Sequence, residues 1–240
     1  MKRHVHLLLL LLVCLSSNAQ RAILTKAPDV DSIFSTKLTG DCFYENMNYI
    51  GEQFLNKDWT KGDILLTTGE IIHDKLLRYN GLFDGLVWMN EYNYGKFKLH
   101  RSFVNEFWIS NTPETKTHFK RICISDTCKI HKKDIYVEVK AEGKISFYIQ
   151  RRISVLGTEN VKKNNFFYAF DIIGPTPSYY FKLPSNQYAI ITRLRPRAFL
   201  KLFPLNKKAI IKLIRENHLN VRDENDCAGL IELMNKKAIF

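Results

Sequence analysis

From residue 62 onward the apolar positions come in short runs broken by turn residues about every eight to twelve positions, the rhythm of an antiparallel sheet. Residues 64–67 turn at Thr68-Gly69 into 71–78; Asn80-Gly81 then interrupts, and 82–90 follows. After a turn at Tyr94-Gly95, Phe97 and Leu99 alternate with Lys96, Lys98 and His100, and 103–109 makes another apolar run. Strands over 119–124 and 127–130 flank Ser125-Asp126, and Val137 and Val139 alternate with Tyr136, Glu138 and Lys140. One long strand is expected over 145–155, with paired arginines at Arg151 and Arg152, and another over 166–173 after Asn164-Asn165. Beyond the loop holding Pro175 and Pro177, residues 179–183 are expected to pair with 188–192 across Pro184-Ser185-Asn186.

After Thr192 the apolar period lengthens to that of helices. Pro196 suits a first helical turn whose face carries Phe199, Leu200 and Phe203 before Pro204. Asn206 is a candidate N-cap for a helix through Ile210, Ile211, Leu213 and Ile214 that ends at Asn217-His218, and Asp223 caps a last one through Leu230, Ile231, Leu233 and Met234. Upstream, 20–61 carries Phe43, Tyr44, Tyr49, Phe54 and Trp59 and reads as a segment lying against the core, with a short helix near 45–55. The expectation is a mainly β, α+β fold: an antiparallel meander over 62–192 forming a sandwich or barrel, with two or three helices over 193–240 packed on the same domain.

At the N-terminus, Lys2 and Arg3 precede an apolar run over 7–15 and then Ser16, Ser17, Asn18 and Ala19, the order of a cleavable secretory signal peptide over 1–19. The mature chain is then expected to begin at Gln20 and to work in the periplasm, at the outer membrane surface or outside the cell. No later apolar run approaches the roughly 20 residues that cross a bilayer, so no transmembrane segment is expected in it.

The formal charge is +12, and its excess is uneven: residues 20–130 hold 14 basic and 14 acidic residues, whereas 131–240 hold 20 and 10. The densest stretch, 193–215, contains Arg193, Arg195, Arg197, Lys201, Lys207, Lys208, Lys212 and Arg215 without an acid. These residues make either the solvated face of helices or a docking surface for anionic envelope components. No nucleic-acid motif accompanies the charge, so nucleic acid is not an expected partner.

The mature chain holds Cys42, Cys123, Cys128 and Cys227, an even number for an oxidising compartment, and three pairings are open. A turn at Ser125-Asp126 would face Cys123 to Cys128, leaving Cys42 for Cys227. His118, Cys123, Cys128 and His131 match no common zinc spacing, and neither a metal nor a cofactor is expected.

Trp59-Thr60-Lys61-Gly62-Asp63-Ile64-Leu65-Leu66-Thr67-Thr68-Gly69-Glu70, followed by Leu77-Arg78-Tyr79-Asn80 and Asp84-Gly85-Leu86, resembles uncharacterised exported β-rich proteins of Bacteroidota. A strand like 135–152, a Tyr179-Tyr180-Phe181 strand and basic C-terminal helices continue the resemblance over about 50–235. It implies export and a shared fold, and brings no activity with it.

No phosphate loop, dinucleotide fingerprint, HExxH or GxSxG occurs. Arg78, beside Tyr79 and Asn80 and near Asp84, is a candidate small-anion ligand or else an ion-pair partner, and Trp59, Trp88 and Trp108 are either core or a sugar platform. The leading expectation is a non-catalytic exported protein acting on another envelope protein or on anionic envelope components. A carbohydrate or small-anion binding module, and a hydrolase with a dispersed site, are the alternatives.

Overall fold

The computed structural model describes residues 38–45, 48–112, 114–125, 132–163 and 166–240. The expected signal peptide over 1–19 and the expected strand over 127–130 lie outside the described residues. The strands are β1 (Gly40–Cys42), β2 (Tyr49–Ile50), β3 (Thr60–Leu66), β4 (Ile71–Asn80), β5 (Gly85–Met89), β6 (Lys96–Leu99) and β7 (Val104–Ser110). They continue as β8 (Lys116–Ser125), β9 (Lys132–Ala141), β10 (Ser146–Gln150), β11 (Ile153–Lys163), β12 (Phe166–Pro175), β13 (Ser178–Lys182) and β14 (Tyr188–Ile191). Helices α1 (Pro196–Lys201), α2 (Lys207–Glu216) and α3 (Glu224–Lys236) close the chain.

Eleven strands form one antiparallel sheet in the order β1-β6-β5-β4-β3-β7-β8-β9-β10-β13-β14, which is not closed into a barrel. The remaining three form a small sheet, β11 antiparallel to β12 and β2 parallel to β12 through Asp171 and Ile172. The β3–β4 turn works because Gly69 adopts φ +87°, which glycine takes without a Cβ clash. Among the described residues, no helix is long and apolar enough to cross a membrane.

One face of the large sheet carries an aromatic stack: Phe107 lies 4.8 Å from Phe119, and Tyr79 lies 4.9 Å from Phe119, ring centre to ring centre. Towards β10 and β13 the helices take over. Phe147, Ile149 and Phe181 pack against Phe199 of α1, Ile210 and Leu213 of α2, and Leu230, Ile231 and Met234 of α3. The helical residues recur three and four apart, which puts them on one stripe. Each such burial stabilises by about 1.5–3 kcal/mol.

Two local expectations are corrected. The strand expected over 145–155 is interrupted: β10 lies in the large sheet, the chain leaves that sheet at Arg151 and Arg152, and β11 continues in the same direction in the small sheet, in unbroken register with the antiparallel partner that runs from β12 into β13. The Arg152 amide donates to the Gln150 carbonyl (2.9 Å) and the Ile153 amide to that of Gly81 (3.0 Å), where a Cβ on residue 81 would overlap the Arg151 carbonyl. The helix expected near 45–55 is not formed among the described residues. Beyond Leu77 the strand β4 has no β3 partner, and residues 53–55 supply one: the Leu55 amide donates to Tyr79 and the Gly81 amide to Gln53.

Candidate functional site

The break at Arg151 and Arg152 that separates β10 from β11 borders a cleft. Arg152 and Ser154 enter it from the start of β11, Thr176 from the link after β12, and Ser178 and Tyr179 from β13. Thr192, Arg193 and Arg222 complete the lining of a cavity of about 590 Å³, walled on its apolar side by Pro175, Pro177 and Leu194. A second cavity, of about 700 Å³, shares Arg193, Leu194 and Arg222 with the first and adds Arg195, Pro196 and Arg197. Both volumes fall in the range of small-molecule sites.

Local sequence explains the arginine display. Leu194 is buried in the helix–sheet core, and Arg193 and Arg195 on either side of it are exposed, as alternation in an extended segment requires. Arg195 is the extended N-cap residue of α1, with Pro196 setting the first helical φ. Arg222 follows the buried Val221 and precedes Asp223, whose carboxylate accepts from the amides of Asn225 and Asp226 to cap α3. Thr176 donates its amide to the Arg152 carbonyl (2.8 Å), and the Ser154 and Thr176 hydroxyls lie 2.7 Å apart.

No carboxylate lines either cavity, and none of the five arginines has an ion-pair partner among the described residues. The neighbour Arg151 differs in this respect. It donates to Glu138 (2.5 Å) and to both oxygens of Glu224 (3.0 and 2.7 Å), tying α3 to β9. Burial depresses its pKa, but Glu224 and Glu138 outweigh that and hold it above its ordinary value. Tyr179 donates to Glu224 (3.2 Å), and burial together with that carboxylate raises its pKa, so its phenol stays protonated. The cleft's hydroxyls therefore have neither histidine nor carboxylate in the lining to act as a base.

The residues expected to bind anions separate into three groups. Arg193, Arg195 and Arg197 converge on the cleft. Lys201, Lys207, Lys208, Lys212 and Arg215 are exposed and outside it, on or beside α1 and α2, where Lys212 pairs with Glu216 at 3.6 Å. Arg78 is buried and already bound: it lies 3.7 Å from the centre of the Phe54 ring, donates to the Asn56 carbonyl (3.1 Å), and faces Glu52 and Glu45. Its candidacy as an anion ligand is corrected accordingly.

Arg152 and Arg222 are the residues that sequence reasoning missed. The Arg151-Arg152 pair was a visible signal, whereas Arg222 stands alone, seven positions past the basic run.

Among the described residues no disulfide is present. The expected pairing of Cys42 with Cys227 is not made. Cys42 is an exposed free thiol on β1, the outer strand of the large sheet, and Cys227 is a free thiol buried in the helix core over β9 and β10. Cys123 lies on β8 opposite Asp134; Cys128 and His131 lie outside the described residues. His118 stacks on Trp108 and bonds to Glu106 at 2.7 Å. Trp88 is buried on Phe97, and Trp59 faces Arg78 and Lys96, so the three tryptophans offer no bare sugar platform.

A third cavity, about 390 Å³, is lined by Asp84, His100, Arg101 and Tyr136 among others. Asp84 accepts from the Tyr79 hydroxyl (2.7 Å), from Arg101 (3.1 Å) and from the Tyr136 amide (3.3 Å), so this carboxylate binds its turn to β9.

The chain matches no protein-family model, and neither the curated proteins nor the solved structures contain a match to it.

Proposed function

We propose that this chain is an exported, non-catalytic binding protein of the cell envelope whose arginine-lined cleft takes an anionic ligand. The observation that carries the reading is the convergence of Arg152, Arg193, Arg195, Arg197 and Arg222 on two adjoining cavities with no carboxylate between them. Guanidinium forks match the oxygens of phosphate, sulfate and carboxylate groups, and an anion relieves the mutual repulsion of five unpaired cations. Because Arg193 and Arg222 belong to both cavities, a ligand with two anionic groups fits better than one with a single group. The hydroxyls of Ser154, Thr176, Ser178 and Thr192 suit the neutral polar part of such a ligand. The described lining residues include no histidine or carboxylate to serve as a base for the cleft's hydroxyls, which favours binding over hydrolysis. The signal-peptide pattern supports export; the periplasm, the outer membrane surface and the cell exterior all offer phosphate- and carboxylate-bearing ligands.

Calorimetric titration with inorganic pyrophosphate tests this. Binding at low salt is expected, weakened at least about tenfold by Arg193→Gln with Arg222→Gln and unchanged by Lys207→Gln with Lys208→Gln. Equal losses in both double variants would point to diffuse charge instead of a site. No binding of pyrophosphate or of single-charged acetate at low salt would remove the reading.

A further inference from the structure

Among the described residues, several of the exposed large apolar side chains lie on the β11–β12 hairpin. Phe166 is 68% exposed, Phe167 72%, Tyr168 47% and Val161 36%. Leaving two adjacent phenylalanines in water is costly, and an exposed patch of this kind marks a contact surface.

The register shows how the patch is arranged. Tyr168 lies opposite Val161, on the face that Phe166 shares, whereas Phe167 lies opposite Lys162 on the other face. The Lys162 ammonium stands 5.9 Å from the centre of the Phe167 ring. A protein surface covers one face of a ribbon. Aromatic side chains on both faces of its end suit a medium that surrounds it.

Charge narrows the medium. Residues 160–170 contain two lysines and no acid, and the first carboxylates are Glu159 and Asp171, each on one strand. The acid-free end therefore extends about 13 Å, at about 3.3 Å per residue from Glu159 to Lys163. That length exceeds the roughly 5–10 Å to which interfacial elements sink into the headgroup–acyl boundary, where aromatic residues concentrate, so the hairpin end can reach that depth without burying a carboxylate. Deeper entry is opposed by the ribbon's backbone edges, since among the described residues β2 pairs with β12 at Asp171 and Ile172 and no strand other than β11 pairs with β12 beyond them toward the hairpin end.

From these observations we infer that the end of the β11–β12 hairpin inserts its aromatic side chains into the headgroup region of an anionic lipid surface, with Lys162 at the level of the phosphates. The inference stands on the hairpin alone and does not require the arginine cleft.

The test is flotation of the full chain with phosphatidylglycerol–phosphatidylcholine vesicles, against phosphatidylcholine alone. Association with the anionic vesicles is expected, falling at least about tenfold in Phe166→Ser with Phe167→Ser, whose charge is unchanged. A Phe167→Trp variant, which keeps the ring, is expected to gain a blue-shifted emission quenched by brominated lipid. Undiminished flotation of the serine variant, or an unshifted tryptophan, would overturn the insertion. So would a concentration-dependent dimer that the serine variant abolishes, because a second copy would then be what covers the ribbon.

Discussion

Arg151 sits between Glu138 and Glu224, and Arg152, the next residue, lines the cleft with no carboxylate partner among the described residues. The two are expected to respond differently to the same change. Arg151→Met leaves Glu138 with Lys140 and Glu224 with Tyr179 but removes the cation between the two carboxylates, and is expected to lower unfolding free energy by about 2 kcal/mol in urea titration. Arg152→Met is expected to stay within about 0.5 kcal/mol of wild type while weakening pyrophosphate binding. Equal stabilities for the two variants would contradict the division of roles. The cysteines offer a second contrast. Burial, with Glu224 and Asp223 nearby, pushes the Cys227 thiol up to about 12, so it remains protonated at neutral pH, whereas Cys42 is exposed. Ellman's reagent is expected to label Cys42 in the native protein and Cys227 only after denaturation. Protection of both until a reductant is added would restore the pairing that the sequence suggested.

At the scale of elements, Asp63 of β3 joins β4 and β8. It binds Lys116 (2.5 Å), His73 (3.1 Å) and the Asp74 amide (3.2 Å). Burial acts to raise its pKa, but these partners outweigh it and hold the carboxyl below its ordinary value. A carboxylate depressed in the folded state stabilises fully above its unfolded value, about 3.9, and that stabilisation is lost as pH falls through the lower folded value. Asp63→Asn is therefore expected to flatten the acid limb of the melting temperature below about pH 4. An acid limb as steep as wild type's would show that Asp63 does not contribute to it. Asp223 caps α3, and Asp223→Ala is expected to cost about 1 kcal/mol and, by loosening the turn that presents Arg222, to weaken anion binding as well.

The elements that the sequence made legible are those with one wet face. The β3–β6 meander, the β13–β14 hairpin, and Pro196 and Asp223 at their helix starts all carried their period or cap in the residue pattern. The outer half of β11, Leu156-Gly157-Thr158-Glu159-Asn160, did not, because a ribbon exposed on both sides has no reason to alternate. The break between β10 and β11 was hidden for the opposite reason. All five residues of β10 are buried and β11 keeps its direction and pairing register, so the residue pattern carried no sign of a break set by Gly81 and the Glu138–Arg151–Glu224 contacts.

For the whole molecule, the basic run over 193–215 divides between an open helical surface and a cleft at the meeting of β11, β13 and the helix-leading segments, which Arg152 and Arg222 complete. The cleft arranges five arginines around a volume with no carboxylate among its described lining residues, whereas the third cavity sets Arg101 against Asp84. Arg152 and Arg222 reach it from positions 70 residues apart, which is why a run of charge in the sequence marked part of the site and no more. The direct measurement is a crystal soaked in tungstate, a heavy tetrahedral oxyanion whose anomalous signal locates it without assumption. A peak within hydrogen-bond reach of Arg193 and Arg222, absent in crystals of Arg193→Gln with Arg222→Gln, is the result that the account requires. Tungstate bound only along the lysines of α2, or at no ordered position, would contradict it.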